Sequence, residues 1–292
     1  MFRQYLSNYN PRTQLSIFLF LWASFFLITN LIQVMVFHQM SSGEEGSNLL
    51  YLVENHPGTV KWLNALNSIL LFFVPALLFA YLMQPKPLNY LKLDRKSKPK
   101  TLALTVVIGM VLIPTLVGLG GFIKEMELFG DVGASLQEQR DSTMQLYFND
   151  SSIPILLLNL ILLALLPAVS EEFLFRGVLQ RLISENLKSP VWSILIPSLA
   201  FALMHFSVYE FIPIFLAGVL LALIYYYSQS LILSIIVHFI NNGMQVVMMS
   251  VANGEEAEFS PTVFGLVFLI SALVLVVIFQ QWKRTLPLKV EV

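Results

Sequence analysis

Long apolar runs separated by short polar segments set the pattern of this chain. Runs long enough to cross roughly 30 Å of hydrocarbon fall at about 13–37, 62–83, 101–123, 153–170, 191–207, 211–227, 231–251 and 261–281. About eight transmembrane helices are expected, the fifth and sixth being short and divided only by Ser207 to Glu210. The first run is longer than the roughly 7 to 15 residues of a signal-peptide core and has no small-residue cleavage site after it, so it reads as a retained helix. No strand alternation, internal repeat or separate soluble domain is visible. The expected fold class is all-α, a polytopic integral membrane helix bundle. Three parts are expected: N-terminal helices and loops over 1–150, a core over 151–250, and a last helix with its tail over 251–292.

Composition agrees with the pattern. The 292 residues are 57% hydrophobic and 12% charged, against about 25% charged in soluble proteins, and the mean hydropathy is +0.74. The lipid bilayer is therefore an expected partner. A net charge of -1 argues against nucleic acid, which needs a basic face. Cysteine is absent, which excludes disulfides, thiolate metal sites and a cysteine nucleophile.

Charge placement sets the expected orientation. With the N-terminus inside, 14 of the 17 basic residues fall in inside segments, and only Lys61, Lys124 and Arg140 fall outside. By the positive-inside bias both termini face the cytoplasm, and the inner membrane of a prokaryote is the expected location. The basic run Pro85 to Lys100 reads first as a topology signal and second as a surface for anionic headgroups. Outside, the polar stretch Lys124 to Ser152 contains a short amphipathic pattern around Ala134 to Phe148. Pro114, Pro167, Pro197 and Pro213 lie within spans and predict kinks or broken backbone bonds.

Few groups in the apolar runs can do chemistry. LPAVSEEFLFRGVLQR at 166–181 sets Glu171 and Glu172 directly after an apolar run, with Arg176 following. Ionisable residues within membranes are costly and usually functional. Glu172 and Arg176 are four apart and share a helix face, whereas Glu171 is turned by roughly 100°. One carboxylate is thus held and the other left free, although an interfacial ion pair at a helix end explains the same residues. His205 ends the fifth run, one turn after Phe201. His238 and Asn242 align in the seventh run, and either histidine alone reads as a packing residue. Their agreement with the glutamate pair favours a site. Glu171 with His205 suits a pair that deprotonates water, and His238 with Asn242 suits donors to an oxyanion. These are the parts needed to hydrolyse an amide, whereas Ser170 and Ser198 have no matching nucleophile apparatus.

EEFLFRG at 171–177, FALMH at 201–205 and HFINN at 238–242 resemble, in order, the motifs EExxxR, FxxxH and HxxxN of the CAAX-protease and bacteriocin-processing family of intramembrane proteases. The resemblance covers about 150–245, with Gln229 where that family often has glycine. It implies an intramembrane endopeptidase acting on a peptide or protein substrate at the membrane, prenylated C-termini or bacteriocin-type peptides being the family's classes. Glu171 and His205 would activate water, His238 and Asn242 would stabilise the oxyanion, and Glu172 and Arg176 would hold the site together. Family members have been described as metalloproteases and as glutamate proteases. No cofactor is expected on the preferred metal-free scheme, but Glu171, His205 and His238 form a plausible open zinc set, and zinc stays open. Two rivals remain: a proton-coupled transporter, for which inverted repeats are expected, and a non-catalytic membrane scaffold. Helix rise also poses a difficulty, since Glu171 sits near the end of its apolar run while His205 and His238 lie deeper.

Overall fold

The computed structural model describes residues 4–41, 55–126, 130, 133, 135, 144, 145, 147, 148, 150, 152–254 and 259–287. Among these residues eight main helices follow in chain order: α1 (Pro11–Ser41), α2 (Pro57–Met83), α3 (Pro99–Glu125), α4 (Ile153–Leu187), α5 (Pro190–Leu203), α6 (Phe211–Ser228), α7 (Leu231–Val251) and α8 (Pro261–Thr285). All but α5 are long and apolar enough to cross a membrane. Among the described residues there is no strand, so the protein is an all-α membrane bundle. Prolines mark many starts. Pro57, Pro99, Pro190 and Pro261 sit in the first turn of their helices, where the missing N–H has no intrahelical partner to lose.

Two helices depart from the apolar pattern, and both departures shape the site. The fifth run was expected over 191–207, but α5 has 14 residues and ends at Leu203, a length of about 21 Å by helix rise. Its last turn tightens, with N–H groups of His205 and Phe206 donating three residues back to Ala202 and Leu203. Phe206 then turns left-handed at φ 49°. The fourth run was expected to end near residue 170, yet α4 is one 35-residue rod. It continues because Glu172, Arg176 and Gln180 bond to each other or to α6 carbonyls, so the bundle interior accepts them. The helix-rise difficulty disappears, since Glu171 lies mid-helix.

Three stretches widen into π-helical turns, at Ser68–Phe73, Leu160–Leu165 and Phe173–Gln180. The first two directly precede Val74-Pro75 and Leu166-Pro167, where a proline lacks the N–H that an α-turn would use. Those prolines thus appear as widened turns rather than helix ends. No proline follows the third, which carries Arg176.

The core has an aromatic layer in which Phe18 meets Phe79, and Phe175 meets Trp22, Phe72 and Phe201. A second cluster joins α3, α6, α7 and α8 around Trp282, whose indole donates to Thr105 at 2.9 Å. There α3 and α8 approach closely: a Cβ on Gly118 would lie 2.7 Å from the Phe268 nitrogen, and one on Gly121 would lie 2.4 Å from the Phe264 ring. A third cluster takes Tyr147 and Phe148 against Val60, Ala164 and Val246. Lys61 donates to the Tyr147 carbonyl at 2.9 Å, and burial pushes the Tyr147 phenol up to about 12. Most of the amphipathic pattern expected at Ala134 to Phe148 lies outside the described residues.

Between α6 and α7, Gln229 adopts φ 55°, the left-handed conformation that glycine takes most easily. Its side chain compensates, donating to the Tyr226 carbonyl at 2.9 Å and accepting from Lys92. Gln229 therefore makes a glycine-type turn.

Candidate active site

The site forms where the third wide turn of α4 meets α5, α6 and α7. Arg176 is fully buried and donates through Nη1 to Glu172 Oε1 at 2.7 Å and through Nη2 to the Gly218 carbonyl at 3.1 Å. Its guanidinium carbon lies 4.6 Å from the centre of the Phe201 ring, a cation–π contact that strengthens away from water. Three elements thus share one buried cation. Removing either member of such a pair leaves the other charge uncompensated, which is far costlier than the net worth of the pair.

His238 links this pair to the second glutamate. Its Nδ1 donates to Glu172 Oε1 at 3.0 Å, and its Nε2 lies 3.8 Å from Glu171 Oε2. A carboxylate on Nδ1 fixes the tautomer and ring direction of an imidazole, which aims Nε2 at Glu171. The gap to Glu171 is too long for a direct hydrogen bond and suits a bridging group. Glu171 is mostly buried, and its Oε2 has no hydrogen-bond partner among the described residues. Glu172 is therefore the glutamate held by the arginine, while Glu171 faces His238.

His205 lies just past the end of α5 and is exposed. Its Nδ1 faces the Phe201 carbonyl at 2.8 Å, which leaves Nε2 as an acceptor in the neutral ring. Phe201 packs on both imidazoles, with ring centroids 4.7 Å from His205 and 5.7 Å from His238. The expected partner of Glu171 was His205, whereas the imidazole that faces its carboxylate is that of His238. Asn242 accepts at Oδ1 from Asn241 at 3.3 Å, so its Nδ2 is the end that can donate outward.

His205, His238 and Asn242 open onto one cavity of about 190 Å³, walled also by α3 and α6. Asn241 and Gln245 line it too. Sequence reasoning passed over both, although they continue the His238 face at helical spacing. The Gly218 carbonyl and the α3 wall carry no sequence signal, because a backbone acceptor has no residue type and α3 carries no motif.

Among the described residues no group of three or more His, Asp or Glu is arranged to hold a metal. Glu171, His205 and His238, the open zinc set of the sequence analysis, do not form such a group, although each histidine commits only Nδ1, to Glu172 or to the Phe201 carbonyl, and keeps Nε2.

No curated protein and no solved structure matches the chain. From the first turn of α4 to the Asn242 face of α7, residues 153–244 match the family model described as type II CAAX prenyl endopeptidase Rce1-like.

Proposed function

We propose that the protein is an intramembrane endopeptidase in which Glu171 activates the attacking water. The observation that carries this reading is His238 set between two buried glutamates at the edge of a cavity inside the bundle. Water loses a proton to Glu171 while its oxygen attacks the peptide carbonyl carbon. His205, with Nε2 as acceptor, orients that water. Negative charge moves to the carbonyl oxygen and is held by Asn242 Nδ2–H and by the Nε2–H of a doubly protonated His238, whose Nδ1–H stays on Glu172. Glu171 then returns its proton to the leaving nitrogen as the C–N bond breaks. Glu172 and Arg176 touch no reacting atom in this scheme, and they fix the height and rotation of His238. The substrate is a peptide segment presented at the membrane, as the name of the matching family suggests.

The test compares purified wild-type protein in lipid vesicles with Glu171→Gln on a mixed library of membrane-associated peptides. Cleavage by wild type that survives exhaustive metal chelation and vanishes in Glu171→Gln is the expected result. Equal cleavage by both would sink the assignment.

A further inference from the structure

The cavity beside His238 is unequally made. Its polar side comes from α7 and the segment between α5 and α6, with His205, Glu210, His238, Asn241, Asn242 and Gln245, while Leu112, Leu116, Val117 and Gly120 of α3 build an apolar wall. That wall lies outside the matched segment 153–244. Gly120 is distinctive among its neighbours. Gly118 and Gly121 are small because α8 leaves no room, a Cβ on either approaching α8 atoms within 2.7 Å. A Cβ on Gly120 would meet only Pro213 Cγ at 3.7 Å, which is ordinary contact. Packing does not require glycine there, and in a helix glycine costs about 1 kcal/mol relative to alanine. What its smallness does preserve is open volume in the cavity.

We propose that this cavity is a subsite for one bulky apolar side chain of the substrate, next to the scissile bond, and that Gly120 sets the size it accepts. This rests on the endopeptidase reading above. A volume of about 190 Å³ exceeds the roughly 150 Å³ apolar cavity that holds benzene, so a phenylalanine or leucine side chain fits. An isoprenoid chain, with more than twice the carbons of benzene, is too large to be enclosed. A side chain lodged against α3 leaves its own peptide group beside the donors on α7. The apolar wall therefore selects, and the polar wall reacts. Discrimination by a single methylene in such a pocket amounts to roughly 10- to 200-fold.

The experiment uses full-length protein in lipid vesicles and paired peptides that differ only in Phe or Ala beside the cleaved bond. Wild type is expected to favour Phe, and Gly120→Leu to lower the Phe-to-Ala ratio of kcat/KM by about 10- to 100-fold. An unchanged ratio overturns the subsite and leaves the protease reading standing. Binding of the same peptides to Glu171→Gln, with and without Gly120→Leu, is measured in parallel and needs no turnover. A Phe preference in binding that Gly120→Leu abolishes supports the subsite even if no peptide is cleaved, in which case only the protease reading falls. Equal binding of both peptides in both variants overturns the subsite.

Discussion

Arg176 is the residue on which most of the site's geometry depends, because it joins Glu172, the Gly218 carbonyl and the Phe201 ring. Replacing it with alanine leaves Glu172 buried without its cation. Arg176→Ala is expected to destabilise the protein by about 3–5 kcal/mol, visible as a lower thermal midpoint and lower yield, while Glu171→Gln stays close to wild type. An Arg176→Ala protein as stable as wild type would refute that structural role. In the proposed scheme Asn242 acts on the oxyanion and has no comparable structural role. Asn242→Ala is expected to reduce turnover roughly 10²- to 10³-fold with little loss of peptide binding, which parallel kcat and binding measurements check. At this scale local spacing was informative. The four-residue step from Glu172 to Arg176 appears as a 2.7 Å ion pair. Contacts between helices were not readable, so the choice of His238 over His205 as the imidazole facing Glu171 emerged only from the fold.

At the scale of elements, hydropathy located the helices but misjudged two ends for opposite reasons. Polar residues in α4 lie buried and paired, so the helix outlasts its apolar run. The apolar residues after Leu203 do not extend α5, since the backbone there tightens and then turns left-handed at Phe206. Glycine positions were equally unreadable as contacts until α8 was seen lying on α3. Gly118→Leu is expected to cost about 1–3 kcal/mol through overpacking, since its Cβ would sit 2.7 Å from the Phe268 nitrogen and 2.9 Å from the Phe264 carbonyl oxygen. Thermal unfolding in detergent measures this, and a midpoint equal to wild type would contradict the close approach of the two helices.

For the whole molecule, the absence of cysteine makes every single-cysteine variant its own topology probe. If the segment around Arg95 to Lys100 faces the cytoplasm, as its charge implies, Lys96→Cys is shielded from an impermeant thiol reagent added outside intact cells. Gly58→Cys, at the other end of α2, is then labelled. The reverse pattern would invert the orientation. The wide turns of α4 bear on how such a bundle moves. Each holds one residue more than an α-turn needs, so the helix carries slack that neighbouring turns can absorb without losing the rod. Passing that residue along rotates the intervening stretch by about 100° and advances it about 1.5 Å. Were that residue passed along α4, the glutamates would move relative to Arg181 in a discrete click, like a thread engaging one notch further.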